Sequence, residues 1–279
     1  MPAENVGIQL YTMRRVMDTP ARARVALNRL GRLGYREVEL AGNYGFSAPA
    51  LRRILDANNL RAVSSHDDVN LEPGDGWQDD YRATCEYGAA LGQDYTGLAW
   101  QGGPHTEEHY RFLAERLNEA GAIAQESGLQ FFFHNHDFEF TNRTADGAPV
   151  YDVLLAETDP DLVAFELDLY WVIVAGESPV HYIGDDPARY PLYHVKDKTW
   201  RTRGDQPDWE DVGPGSIDFP DIFAAGDVEG MTKHFVIEHD DRSCPTRMTT
   251  TPSSVRLLPA LDTWITCASD PLDRVKVAS

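Results

Sequence analysis

Short apolar runs alternate with longer amphipathic segments along this 279-residue chain. Eight runs read as strands, near 6–12, 35–41, 60–68, 94–100, 129–136, 162–171, 190–198 and 233–241. The segments between them, around 19–33, 49–58, 78–91, 106–127, 151–157, 178–187, 217–226 and 252–268, fit helices. Several open on a capping residue and a proline (Thr19-Pro20, Thr251-Pro252), and Gly34, Gly92 and Gly128 stand where a helix returns to a strand. Apolar runs this short suit buried parallel strands. Eight such units predict one domain over 1–279, an α/β protein of the (β/α)8 TIM-barrel type, which typically takes about 250 residues. An open doubly wound sheet is the competitor, but its first turn should be glycine-rich, and here the first strand leads into LYTMRRVMD.

Four of the later runs end in side chains that bind cations: FFFHNHDFEF, VAFELDLYW, LYHVKDK and FVIEHD. Charge at the last inward positions of buried strands is costly unless something compensates it, and a divalent cation at the barrel mouth would do so. The two-residue period of a strand groups Glu166 with Asp168, His194 with Lys196, Glu238 with Asp240, and His134 with His136. Further polar groups come from Gln9 and Tyr11 on the first strand, Glu39 on the second and His66 on the third. All lie toward the carboxyl ends of strands, the face that holds the active site in this architecture. Trp100 and Trp171 at strand ends, and Trp200 and Trp209 in the seventh loop, could stack on the apolar face of a sugar.

Net charge is −20, and the only lysines are Lys196, Lys198, Lys233 and Lys276. With no Lys/Arg-rich run, such a surface repels nucleic acid and anionic membranes and favours a small, neutral or locally neutralised substrate. The segment MPAENVGIQLY has neither the basic nor the apolar region of a secretory signal, and no apolar stretch approaches the roughly 20 residues of a membrane span. A cytoplasmic protein is expected. Cys85, Cys244 and Cys267 show no metal or disulfide spacing and read as reduced thiols.

These residues, in the order GIQLYT, GYREVELAG, HNHDFEF, YDVLL, AFELDLYW, YHVKDK, VGPGSIDF and VIEHDD, resemble the sugar phosphate isomerase/epimerase family. Those proteins are xylose isomerase-like TIM barrels related to endonuclease IV. The resemblance implies one divalent ion held by Glu139, Asp168, His194 and Glu238, with His134 or His136 as alternatives at the first corner. Three carboxylates and one imidazole favour Mn²⁺, with Mg²⁺, Co²⁺ and Zn²⁺ as alternatives. It further implies α-proton abstraction from a ketose or keto-sugar through an enediolate. Glu139 and Glu238 would form the acid/base pair, and His66, His136 and Lys196 would hydrogen-bond the oxyanion or neighbouring hydroxyls. Tyr11, Glu39, Trp100, His134, Trp171 and Trp200 are expected to contact substrate, and association into homo-oligomers through the outer helices fits such barrels.

An isomerase or epimerase is the leading expectation. A lyase or dehydratase using the same deprotonation, acting on an inosose or cleaving a 3-keto-glycoside, is the runner-up. An endonuclease IV-like phosphodiesterase and a non-catalytic sugar binder are remote. The segment Val212-Gly213-Pro214-Gly215-Ser216 resembles loops that receive phosphate after a seventh barrel strand, with Arg201 and Arg203 nearby in sequence.

Overall fold

The computed structural model describes residues 5–71, 74, 76–199, 209–227 and 231–240. Eight parallel strands form a closed barrel: β1 (Val6–Gln9), β2 (Glu37–Leu40), β3 (Arg61–Asp67), β4 (Tyr95–Leu98), β5 (Gln130–His134), β6 (Val163–Asp168), β7 (Leu192–Val195) and, after a short antiparallel ribbon of β8 (Asp197–Lys198) and β9 (Trp209–Glu210), β10 (His234–Ile237). Each strand lies beside its sequence neighbours in the barrel, and β10 closes the ring onto β1 with Val6 opposite Phe235 and Ile8 opposite Ile237. The expected (β/α)8 barrel is therefore the fold.

Helices α1 (Pro20–Leu33), α2 (Ala48–Asp56), α3 (Trp77–Leu91), α4 (Glu107–Glu126), α5 (Phe138–Thr141), α6 (Val150–Glu157), α7 (Leu169–Val174), α8 (Pro179–Asp185) and α9 (Phe219–Ala225) connect the strands. In α1, Thr19 accepts the Arg22 N–H as N-cap, Pro20 fills the first turn, and Gly34 closes the C-terminus at φ 102°. Ala23, Ala26, Leu27 and Leu30 recur at helical spacing and are buried against the barrel, each leucine contributing about 2 kcal/mol. Cys85 is buried in α3, where burial pushes its thiol up to about 11. No helix among the described residues is long and apolar enough to cross a membrane. The helix expected at 252–268 lies outside the described residues.

The apolar runs all stop being barrel strand before their expected ends, and in three of them the chain then turns into helix. After Gln9 the chain turns into a 3-10 helix, Leu10–Val16, and after Asp168 it turns directly into α7. In the fifth run the strand ends at His134, and Phe138–Thr141 is a single helical turn. Strand ends in a barrel are set by where neighbouring strands stop pairing, which local apolarity does not record. The consequence falls on the side chains just past each end: Tyr11, Glu139 and Tyr170 no longer follow the two-residue alternation.

Two tiers of side chains fill the barrel. The outward faces of β5, β6 and β7, with Phe131, Phe133, Phe165, Leu167, Tyr193 and Val195, join the large core under the helices. Inside, Phe132, Ala164 and Leu192 form a separate small apolar plug packed against Tyr95. A Cβ on Gly97 would fall 2.6 Å from the Phe132 ring, so the bulk of Phe132 requires a glycine on the adjacent strand. Toward the carboxyl ends, the interior above this plug is polar.

Candidate metal centre and cavity

Glu39, Ser64, Glu166 and His194 project inward from four different strands and are buried, with His66 nearly so. Gln9 Nε2 donates to Glu39 Oε1 at 2.7 Å, and Ser64 Oγ donates to Glu39 Oε2 at 2.6 Å. His66 Nε2 lies 2.7 Å from Glu166 Oε2 and 3.2 Å from Glu39 Oε1. His194 Nε2 reaches Glu39 Oε1 at 2.7 Å and Glu166 Oε1 at 3.2 Å. Burial alone would raise the Glu39 carboxyl, but the two imidazoles beside it hold it ionised; burial and the Glu39 charge push Glu166 up.

Above this layer a second group converges. Donor atoms of His134, Asp168, His194 and Glu238 all lie within 4.8 Å of one another. His134 Nε2 is 3.2 Å from Asp168 Oδ2. His194 Nδ1 is 3.1 Å from Glu238 Oε2, yet it lacks a well-aligned hydrogen bond. His134 Nδ1 is anchored 3.1 Å from the Ala99 carbonyl oxygen, which leaves Nε2 to face the group. Burial, with His194 beside it, brings His134 down to about 4, so its ring is neutral and can act as a ligand. Burial would lower His194 too, but the carboxylates of Glu166, Glu238 and Glu39 raise it well above the usual imidazole range.

Lys196 completes the charge pattern. Its buried ammonium lies 2.8 Å from Asp168 Oδ2, 2.7 Å from Glu238 Oε2 and 3.0 Å from Asp240 Oδ2. Burial opposes its charge, but these carboxylates more than restore it. The carboxylates of this layer are thus matched to positive charge, and the misaligned nitrogen of His194 faces them. Two imidazoles and two carboxylates form a donor set that fits a divalent transition ion. Donor atoms of His66, His134, Glu166 and His194 also meet the same distance limit, but the His66–Glu166 and His194–Glu39 hydrogen bonds already engage that deeper layer.

The upper group opens into a cavity of about 560 Å³ lined by Tyr11, His66, Trp100, His136, Lys196 and Glu238, together with Asp67, Asp68 and Asp240. Tyr11 and Trp100 are 42% and 59% exposed at its edge. His136 stacks on Phe138 with ring centroids 5.3 Å apart and lies 5.6 Å from Trp171. Trp209 packs at 5.4 Å against Trp171. Trp200, Arg201 and Arg203 lie outside the described residues.

Of the expected ligands, Asp168, His194 and Glu238 are brought together and Glu139 is not. Glu139 sits on α5, outside the cavity lining and fully buried, accepting the His136 N–H at 2.7 Å near the Tyr110 hydroxyl of α4. Burial pushes its carboxyl up to about 8. His134, the last residue of β5, occupies the corner instead. Glu39, expected against substrate, lies beneath the cavity under His194. Glu166, which the two-residue period groups with Asp168, was not among the expected site residues, and the structure sets it against His66 and His194. Asp67 and Asp68 of the cavity wall carried no comparable signal.

A sequence profile of xylose isomerase-like TIM barrels matches residues 27–261. The chain belongs to this family. Within it, an inosose dehydratase of Lacticaseibacillus casei is 24% identical over 247 residues, 76% of this chain and 80% of that protein. An inosose dehydratase of Clostridium botulinum is 24% identical over 189 residues, and the match spans 62% of the length of each chain. A crystal structure of a sugar phosphate isomerase/epimerase from Parabacteroides distasonis superposes with TM-score 0.70 at 24% identity, covering 87% of this chain and 88% of that one. The IolI protein, solved with a bound zinc atom, superposes with TM-score 0.66 at 14% identity, covering 86% and 90%.

Proposed function

We propose that this member of the xylose isomerase-like barrels is a divalent-metal-dependent enzyme that removes the proton beside the carbonyl of a small polyhydroxylated ketone. The convergence of His134, Asp168, His194 and Glu238 donors carries this reading. When bound, the ion supplies a positive charge that polarises the carbonyl and stabilises the anion left by deprotonation. Its ligands would be those four side chains. The argument for Mn²⁺ rested on three carboxylates; with an imidazole in place of the third, Zn²⁺ and Co²⁺ fit at least as well.

The remaining work falls to the chain's own groups. Glu238 reaches the cavity as a carboxylate and is the candidate base. The Lys196 ammonium and the His66 and His136 rings line the same space, where they can donate to developing negative charge or to a departing oxygen. Tyr11, Trp100 and Trp171 would position the carbon skeleton.

Exchange of protons across both faces of one carbon calls for a second base opposite Glu238. Glu139, the expected partner, is turned into α4. Glu238 as base beside a lysine ammonium suits removal of an α-proton with loss of a β-hydroxyl, the type of reaction named for the inosose dehydratase relatives. Elimination is therefore the first outcome to test, and isomerisation or epimerisation through the same enediolate the second.

The test is a panel of inososes, free ketoses and 3-keto-glycosides, incubated in D₂O with protein that has been chelated and then reloaded with Zn²⁺, Co²⁺ or Mn²⁺. Proton NMR reports loss of the α-hydrogen and of water or aglycone. Exchange that needs the ion and disappears in Glu238→Gln supports the proposal. Exchange that survives both chelation and His194→Ala would sink it.

A further inference from the structure

The loop that resembled a phosphate-binding turn already holds an anion, and that anion belongs to the chain. Asp197 opens β8, three residues after His194, and is 2% exposed. Its Oδ2 accepts the backbone N–H groups of Gly213 at 2.9 Å and Gly215 at 3.1 Å. Its Oδ1 accepts those of Lys198 at 2.9 Å and Ile217 at 3.2 Å. Four N–H groups converging on one pair of oxygens are the pattern by which such loops grip phosphate. Gly213 adopts φ 113°, and a Cβ on Gly215 would fall 2.1 Å from Asp197 Oδ1, so both glycines are fitted to the carboxylate. An incoming phosphate would have to displace a buried acid and lose four hydrogen bonds in exchange for its own.

The cavity itself offers no substitute among the described residues. Its lining presents Asp67, Asp68, Glu238 and Asp240, and its one lysine, Lys196, is shared among Asp168, Glu238 and Asp240. At the rim, Arg14 donates to the carbonyl oxygens of Tyr11 and Asp240 and lies 4.2 Å over the Tyr11 ring. A phosphate dianion entering here meets carboxylates on several sides, whereas hydroxyl groups can donate to the same oxygens.

We infer that the substrate is an uncharged polyhydroxylated ketone without a phosphate group, because Asp197 occupies the seventh-strand loop as a built-in anion. This rests on the proposal that the cavity receives a keto-sugar, and the experiment separates the two ideas. Backbone amide resonances of Gly213, Gly215 and Ile217 are followed by NMR during titration with inorganic phosphate. In parallel, metal-loaded protein is titrated with D-fructose and with D-fructose 6-phosphate. The wild-type amides should not respond saturably, and the free ketose should bind at least about tenfold more tightly than its phosphate. Asp197→Ala, which empties the loop, should gain a saturable phosphate response at those amides. Asp197→Asn, which keeps the shape, should not.

Saturable phosphate binding at the wild-type loop, or a tenfold preference for the phosphorylated ketose, overturns the inference. If neither sugar binds while the wild-type amides stay fixed, the keto-sugar reading has failed and the self-occupied loop stands. Should Asp197→Ala not fold, the two wild-type titrations still decide the matter.

Discussion

Glu139→Gln tests whether the acid on α5 is a ligand or a buried structural group. Complete burial pushes its carboxyl from 4.5 to about 8. The folded protein therefore keeps a proton that the unfolded chain releases across this interval. Stability from this group is full below about 4.5 and is lost as pH rises toward about 8. At about 1.4 kcal/mol per pKa unit the loss is bounded near 5 kcal/mol, and local relaxation should reduce it to a few. Glutamine matches the protonated acid in shape and does not titrate. Urea unfolding of both proteins should give similar stabilities near pH 5, with the variant ahead by a few kcal/mol near pH 8. Metal affinity should change by less than about threefold, because the carboxylate points to Tyr110 and not to the donor group. Parallel stability curves across this window would refute the burial argument. A loss of metal affinity of about a hundredfold would return Glu139 to the ligand set.

Other substitutions probe the remaining parts of the site and the barrel. His134→Ala should weaken Zn²⁺ or Co²⁺ binding by at least about a hundredfold, measured by competition with a chelating dye, while His136→Ala should change it far less. Glu39→Gln replaces the charged acceptor beside His194 Nε2 with a neutral amide and should cost about ten- to a hundredfold in metal affinity, with the Co²⁺ absorption spectrum shifting as the ring loses its charged partner. Lys196→Met takes away a cation paired with Asp168 and Glu238, two of the proposed ligands, so turnover should collapse while metal affinity holds or rises. Gly97→Ala should destabilise the barrel by about 1–3 kcal/mol in urea unfolding, because its methyl meets the Phe132 ring.

The strand-and-helix alternation carried the barrel, since eight short apolar runs with capped amphipathic helices between them leave few ways to bury every strand on both faces. The motifs carried three of the four residues of the candidate metal site: Asp168, His194 and Glu238 lie at or next to strand ends, so their direction follows from a two-residue period. That period failed where strands stop. Glu139 follows His136 by three residues, just past the expected end of the fifth strand, and there the chain coils into α5 and carries the side chain toward Tyr110. His134, still on the strand, was left pointing at the site.

Local pattern determined that polar groups would collect at one end of a closed parallel barrel, because side-chain alternation and chain order are written in the residues themselves. Only the tertiary structure decided which of those groups meet. That choice depends on where each strand loses its partners and on which buried charges neutralise one another across the interior. Glu39 under His194, and Asp197 enclosed by the N–H groups of a loop well beyond it in sequence, arise from such long-range pairings.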